Sequence, residues 1–229
     1  MGRVLEAARR SGVPRTIYTS SLATLGPPAE PGRLADERDF YTPGSSHSAY
    51  YEAKFAMEQM ALRAAVEGLP VVTLLPSAVF GPGDVKPTTG QMLVAVARGR
   101  VPVYFDAVLN VVDGRDVAVA HVAAVERGQV GERYIVGGHN FTLRQALTIA
   151  AKAAGVAPPR FKLPRALLDA VVRLTDALPG VQLPENGRTL RFWQPLSTLK
   201  AEQELGLNPR PFEQTARDTV DWFREHGYL

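Results

Sequence analysis

Cysteine is absent from this 229-residue sequence. A chain without cysteine has no disulfide, no thiolate nucleophile and no cysteine-ligated metal site. Histidine is scarce as well, with four residues, and no two of them have the spacing of a ligand pair on one helix. The sequence therefore predicts no resident metal ion.

Long apolar runs and long charge runs are also missing. No window reaches the apolar length of a membrane span, and the first residues contain no apolar signal core. We therefore expect a cytoplasmic protein with no membrane partner. The net charge is +3 and no run of five like charges occurs, so nucleic acid is not an expected partner either.

The first third of the chain has the pattern of a strand, a helix and a second strand. Residues 15–20 are rich in β-branched and aromatic side chains, residues 48–67 have helical periodicity, and residues 71–75 are almost entirely apolar. This pattern predicts a βαβ unit of a parallel sheet, preceded by a short helix at 4–11. Ligands of such sheets bind beyond the carboxyl ends of the strands, where Ser21 and Ser77 fall.

Two proline-rich stretches interrupt this alternation. Residues 26–46 form a predicted loop that is too long for a simple connection, and such loops usually cover sites. Residues 76–84 are predicted to form a rigid, turn-rich loop after the second strand.

The rest of the chain predicts further helices and short strands. Helices are expected at 89–98, 113–127 and 142–154, and strands at 101–105, 109–112 and 133–136. From Pro158 onward, prolines separate short helices, notably 165–178 and a last helix that begins near Pro211. The predicted fold is α/β, with a sheet domain over 1–157 and a small, mostly helical lobe over 158–229.

Tyr50 and Lys54 are the residues with the clearest chemical potential. Four residues apart on a helix, they lie on one face and one turn apart. An ammonium group beside a phenol favours the phenolate, so that the tyrosine can exchange protons near neutral pH. A serine hydroxyl at the end of the neighbouring strand would be able to orient a carbonyl or an alcohol beside them.

Several motifs, in this order, resemble the extended short-chain dehydrogenase/reductases, in the branch of epimerases and dihydroflavonol reductases. The matching segments are YTSSLATLG at 18–26, YYEAKFAME at 50–58, LLPSAVFGPGD at 74–84, LNVVDGRDVAVAH at 109–121 and GERYIVGG at 131–138. The last residues also resemble that branch, especially its hopanoid-associated sugar epimerases. The resemblance extends over essentially the whole chain.

The resemblance implies a role for each of five residues. Tyr50 corresponds to the catalytic acid/base and is also one of the cofactor-binding residues, and Lys54 corresponds to the residue that favours the phenolate and holds the nicotinamide ribose. Ser21 corresponds to the serine that hydrogen-bonds the reacting oxygen. Pro76 and Ser77 correspond to the loop that lies against the nicotinamide of NAD or NADP.

Some alternatives stay open at this point. Tyr51 is a poor rival of Tyr50, because Phe55 occupies its partner position. Ser20 is a closer rival of Ser21, since successive strand residues face opposite sides and the sequence does not say which side faces the site. His47, Arg188 and Arg191 are minor candidates for substrate contacts.

The sequence departs from the family pattern in one respect. The glycine-rich turn that binds the pyrophosphate does not occur, nor does the residue that selects NAD or NADP. By analogy, roughly two βαβ units, on the order of 60 to 90 residues, are expected to be missing, which makes the chain the C-terminal part of a Rossmann-like doubly wound sheet.

The expected activity is therefore an NAD(P)-dependent oxidoreductase or epimerase reaction. A hydride would pass between the nicotinamide and the carbinol or ketone carbon of a small molecule, such as a nucleotide sugar or a ketone. The alternative is a non-catalytic remnant that acts as an interaction module or needs a partner chain for the cofactor. A homodimer through the face of Met57, Met60 and Ala61 is consistent with the family, although the same face would also suit a core.

Overall fold

The apolar run that follows the tyrosine helix forms the central strand of a parallel sheet. The computed structural model describes residues 1–46, 48–164 and 193–229. Strand β2 (Val71–Pro76) lies between β1 (Thr16–Thr19) and β6 (Arg133–Val136), and both neighbours run parallel to it. The register places Thr16 opposite Val71 and Thr73 opposite Arg133. Because β2 is covered on both faces, its near-continuous apolar composition is the one expected of such a strand.

Helices cover the two faces of this sheet. On one face, helices α1 (Gly2–Arg10) and α2 (Ala49–Val66) pack a cluster that includes Leu5, Ala61 and Val71. On the other face, α4 (Gly114–Arg127) and a π-helix at Ala201–Leu205 pack against Val72, Leu74, Tyr134 and Val136. The side chains of β2 thus alternate between two helical layers, which confirms the predicted α/β fold.

A second sheet supports the carboxyl end of β2. It has the order β3 (Ala78–Phe80), β5 (Val108–Asp113) and β7 (His139–Thr142), in which β3 is parallel and β7 antiparallel to β5. Helices α3 (Gln91–Ala97), α5 (Leu143–Ala154) and α6 (Phe212–Glu225) complete its core. The shortest sheet pairs β4 (Val103–Tyr104) with β8 (Phe161–Lys162).

Local signals explain where α5 begins and ends. The Thr142 hydroxyl accepts a hydrogen bond from the amide of Gln145, whose side chain in turn accepts one from the Thr142 amide. This capping box satisfies two of the free donors at the start of the helix. Gly155 ends the helix with φ of 74°, a left-handed conformation that favours glycine.

The structure corrects the predictions in three places. The prediction of a loop at 76–84 was wrong in part, because Ala78–Phe80 forms β3 and pairs with β5. His139–Thr142 forms a strand that was not predicted, and the strand predicted at 101–105 shortens to Val103–Tyr104. In each case the pairing partner is distant in sequence, so local composition is a weak guide.

The C-terminal residues join the core of the second sheet. Phe212 and Phe223 of α6 are buried with Phe80, Leu93 and residues of α5. The predicted helix at 165–178 lies outside the described residues, so the predicted boundary between 157 and 158 stays a prediction. In the described part of the chain, no helix has both the length and the apolar character that crossing a membrane requires.

Candidate active site

The end of β1 and the start of α2 bring two hydroxyl groups together. Ser21 follows β1 and caps a short 3₁₀ helix, Leu22–Thr24, where its Oγ accepts a hydrogen bond from the amide of Ala23 at 3.2 Å. The same Oγ lies 3.3 Å from the Oη of Tyr50, the second residue of α2. Tyr50 is 44% exposed, so this pair of hydroxyls is accessible from solvent.

Lys54 lies one helical turn after Tyr50 on the same face of α2. Its Nζ is 5.9 Å from the centroid of the Tyr50 ring, within the range in which an ammonium group is attracted to an aromatic ring. Lys54 is half-buried. The structure therefore brings together Ser21, Tyr50 and Lys54, the three residues that the resemblance implied.

Pro76 and Ser77 lie at the carboxyl end of β2, the strand next to β1. Pro76 pairs with Val136, and the amide of Ser77 donates to the Val136 carbonyl at 3.1 Å. The Ser77 hydroxyl is buried and makes no hydrogen bond to the described residues. A buried hydroxyl without a partner is costly, so its orphan state fits a site that a polar ligand completes.

The two rival residues have other surroundings. Tyr51 is buried, and its ring packs against the ring of Tyr41, with centroids 5.7 Å apart. Ser20 is also buried, and its Oγ bonds to the carboxylate of Glu58. Of the two serines it is thus Ser21 that contacts Tyr50, and Ser20 that points into the protein.

Glu58 and Arg133 form a buried ion pair that the sequence analysis missed. The Oε1 of Glu58 lies 2.9 Å from an Nη2 of Arg133, and both side chains are almost completely buried. The Oε2 of Glu58 accepts hydrogen bonds from Ser20 and, at 2.7 Å, from the Oγ1 of Thr24. A signal was present, because Glu58 falls on the buried face of a helix, where an acid needs a partner.

Arg133 connects this pair to the long loop. Its Nη1 donates to the Glu37 carbonyl at 2.6 Å, and its guanidinium carbon lies 3.9 Å from the centroid of the Phe40 ring. The Glu37 side chain accepts a hydrogen bond from the amide of Ile135. Residues 26–46 are thus fixed onto the sheet rather than detached from it.

Burial shifts the pKa values of two titrating groups near the site. It lowers the pKa of Arg133, although the nearby carboxylates of Glu58 and Glu37 oppose this change. It also raises the pKa of Tyr18, whose hydroxyl is buried. Both shifts follow from the cost of holding a charge away from water.

The three minor candidates for substrate contacts, His47, Arg188 and Arg191, lie outside the described residues. Among the described residues, no group of three or more histidine and acidic side chains is arranged to hold a metal ion.

Comparison with known proteins identifies the family. The sequence pattern of the NAD dependent epimerase/dehydratase family matches residues 1–137. The chain belongs to this family. The predicted resemblance is thereby confirmed, and with it the assignment to an oxidoreductase family of the Rossmann-like α/β class.

Relatives within the family carry different names. A putative dihydroflavonol 4-reductase of Synechocystis sp. is 34% identical, and the match covers 99% of this chain and 69% of the relative. The solved structure of a nucleoside-diphosphate-sugar epimerase from Pseudomonas aeruginosa is 31% identical with a TM-score of 0.84, covering 98% of this chain and 71% of that chain. The solved structure of a UDP-glucose 4-epimerase from Thermus thermophilus in complex with NAD is 26% identical, with a TM-score of 0.68. The match covers 96% of this chain and 67% of that chain.

Proposed function

We propose that this protein is an NAD(P)-dependent oxidoreductase or epimerase that uses Tyr50 as its acid/base. The observation that supports this proposal best is the distance of 3.3 Å between the Ser21 and Tyr50 hydroxyls, with Lys54 one turn further along the helix. A nicotinamide cofactor, when bound, supplies or accepts a hydride at the carbinol or ketone carbon. The protein's own residues then have to manage the oxygen on that carbon.

Each residue has a distinct task in this proposal. Tyr50 moves the proton to or from the substrate oxygen, and Ser21 fixes that oxygen by a hydrogen bond. Lys54 would hold the ribose of NAD or NADP, and Pro76 and Ser77 would lie against its nicotinamide. Proton transfer by a positioned side chain typically contributes about 10²- to 10⁴-fold to the rate.

The substrate class that we propose is a small molecule with a secondary alcohol or ketone. The names of two relatives support this class, since one is a nucleotide-sugar epimerase and the other a dihydroflavonol reductase. Both substrates present a carbon that alternates between alcohol and ketone.

The test of this proposal is the Tyr50→Phe variant. We expect turnover to fall by about 100-fold or more, because the variant cannot transfer the proton, while NADH or NADPH binding stays unchanged. Turnover is measured as cofactor consumption with a panel of ketones and as epimerisation of nucleotide sugars. The control is Tyr104→Phe, a tyrosine of β4 outside the site. Retained turnover in Tyr50→Phe would rule out the assignment.

A second candidate is a module that needs another polypeptide to hold the cofactor, or that binds partners without catalysis. Two observations favour it. Among the described strands, β1 pairs with β2 alone, which leaves one edge open. On α4, which contacts β1 through the hydrogen bond between Thr19 and His121, the side chains of Val122 and Val125 are exposed. An open strand edge beside exposed apolar side chains suits association with a further chain.

Fluorescence titration of the 229-residue chain with NADH and NADPH distinguishes the two candidates. Saturable binding in the micromolar range contradicts the second candidate. If the chain alone binds neither cofactor, the first candidate is contradicted for this chain in isolation.

A homodimer through α2 is a separate proposal. Met60 is exposed, whereas Ala61 is buried, so Met60 is the residue of this face that a partner would contact. Light scattering of the wild type and of Met60→Glu tests this proposal.

A further inference from the structure

Glu58 lies in the middle of α2, the helix that carries Tyr50 and Lys54, and its side chain is buried. Tyr50, Lys54 and Glu58 are spaced four residues apart, so they form one stripe along α2. Eight residues of an α-helix span about 12 Å along its axis, so the exposed Tyr50 and the buried Glu58 are attached to the helix about two turns apart. The carboxylate is completely buried, so it takes no direct part in contacts with solvent.

The partners of Glu58 belong to three other parts of the chain. Ser20 comes from the end of β1, Thr24 from the 3₁₀ helix, and Arg133 from β6. Oε2 accepts hydrogen bonds from the two hydroxyls, whereas Oε1 makes no hydrogen bond to the described residues and lies 2.9 Å from the Nη2 of Arg133 as an ion pair. One side chain of α2 thus holds both ends of the segment that contains Ser21.

The orientation of the Ser21 side chain depends on these contacts of Glu58. Ser21 is extended, with φ of −165° and ψ of 154°, so its side chain points away from that of Ser20. Ser20 is fixed by its bond to Glu58 and by its amide, which donates to the Leu74 carbonyl at 2.7 Å. With Ser20 held in place, the next hydroxyl in the chain comes within 3.3 Å of Tyr50.

We propose that Glu58 is a positioning residue, which acts through Ser20 and Thr24 to place the Ser21 hydroxyl against Tyr50. The consequence for catalysis rests on the proposed function, whereas the geometric claim does not. The carboxylate fixes the strand end to the helix, and the relative position of the two hydroxyls follows. Errors of about 1 Å in such a site can cost about 100-fold in rate.

The rival explanation is that the ion pair only stabilises the fold. The two explanations differ in a double-mutant cycle. If Ser20 acts through Ser21, replacing Ser20 by alanine leaves the environment of the Tyr50 hydroxyl unchanged once Ser21 has also been replaced by alanine. If the network only stabilises the fold, the effects of the two substitutions are independent and add.

The experiment uses the whole chain with tyrosine labelled at the carbon that carries the hydroxyl. The NMR signal of this carbon responds to hydrogen bonding of the phenol, and Tyr50→Phe identifies it among the seven tyrosines. We expect Ser20→Ala to shift the Tyr50 signal in the same direction as Ser21→Ala, and the double variant to coincide with Ser21→Ala. The control is Thr219→Ala. It removes a buried hydroxyl of α6 that bonds to the Thr215 carbonyl, and it should leave the Tyr50 signal unshifted.

The proposal is overturned if folded Ser20→Ala leaves the Tyr50 signal unshifted, or if the double variant shows the sum of both shifts. Glu58→Gln should give a shift of the same sign, and if it does not fold, the serine variants decide alone. In a turnover assay, Ser20→Ala should lower kcat about tenfold or more with the cofactor KM unchanged, and have no effect in the Ser21→Ala background. If the serine variants shift the Tyr50 signal as expected but the wild type shows no turnover, the positioning role is retained and the proposed function is refuted.

Discussion

Replacement of Asp113 by asparagine tests how the second sheet is fixed beneath the site. Asp113 ends β5 and caps α4, and its side chain is completely buried. Its Oδ1 accepts hydrogen bonds from the amide and Nε of Arg115, at 2.8 and 2.9 Å. Its Oδ2 accepts from the Nη2 of Arg115 at 2.7 Å and from the Oγ1 of Thr215 at 2.8 Å. One carboxylate thus joins β5, α4 and α6.

The cost of Asp113→Asn follows from these contacts. An asparagine can keep the two bonds at Oδ1, but it turns an NH₂ group toward the Nη2 of Arg115 and toward Thr215. Hydrogen bonds to a charged group contribute about 1.5–3 kcal/mol each, and breaking a buried ion pair costs about 3–5 kcal/mol. Because Arg115 is 38% exposed, water can solvate part of its charge. We therefore expect the free energy of unfolding at pH 7 to fall by about 3 kcal/mol.

The loss should depend on pH in a defined direction. Burial alone would raise the pKa of Asp113, but the hydrogen bonds from Arg115 and Thr215 outweigh it and hold the pKa below its ordinary value. A carboxylate with a lowered pKa stabilises the folded state above the unfolded pKa of about 3.9, and this stability is lost as the pH falls through the folded value. The difference between wild type and Asp113→Asn should therefore shrink below about pH 4.

Urea unfolding of both proteins at pH 7 and near pH 3 measures this difference. The matched control is Glu67→Gln, which breaks the exposed ion pair with Arg9 and should cost about 1 kcal/mol or less. A loss below about 1 kcal/mol for Asp113→Asn at pH 7, or an equal loss at both pH values, would refute the reasoning.

Two further substitutions test the packing around β5 and β6. Gly138→Ala should lower the unfolding temperature markedly, because its Cβ would lie 2.3 Å from the carbonyl oxygen of Val111, whereas Gly114→Ala, with its nearest contact at 3.6 Å, should be tolerated. Tyr134→Phe should lower the free energy of unfolding by about 1–3 kcal/mol, since the phenol donates to Glu204 at 2.6 Å. Burial and Glu204 raise the pKa of Tyr134 to about 12, so this loss should be constant below about pH 10, the unfolded value, and shrink as the pH rises through 12. A loss that does not change over this range would contradict that pKa, and unfolding curves at pH 8 and near pH 11 measure it.

Those parts of the fold that depend on neighbouring residues were predictable from the sequence. The helix at 142–154 is confirmed, because Thr142 and Gly155 act on the ends of the helix within a few residues. The strand at 71–75 is confirmed for a similar reason, as an apolar run between turn residues has few alternatives in an α/β chain.

Those parts that depend on distant partners were not predictable in the same way. Ala78–Phe80 becomes a strand only because β5, about 30 residues later, offers an edge on which it can pair. The π-helix at Ala201–Leu205 shows no local signal either, and it packs on residues of β2 and β6. For such segments tertiary contacts decide, and propensity has little influence.

The candidate site shows the same division. The residues alone predicted that Tyr50 and Lys54 share a helix face near a strand-end serine, because a βαβ unit brings a strand end and the following helix together, and the resemblance implied that this serine is Ser21. The choice between Ser20 and Ser21 was not available from the sequence, since it depends on which face of β1 the helix covers. In the structure the buried carboxylate of Glu58 binds Ser20, and it is the Ser21 hydroxyl that lies beside Tyr50.

The stripe on α2 therefore has two ends with different physical requirements. At the exposed end, Tyr50 must remain accessible, so few contacts can fix its hydroxyl. At the buried end of the stripe, the Glu58 carboxylate accepts two hydrogen bonds from hydroxyls and faces the Arg133 guanidinium group, in surroundings where a low dielectric strengthens each interaction. Because the Glu58 carboxylate fixes Ser20 and Thr24, the buried position can define the place of the Ser21 hydroxyl beside Tyr50.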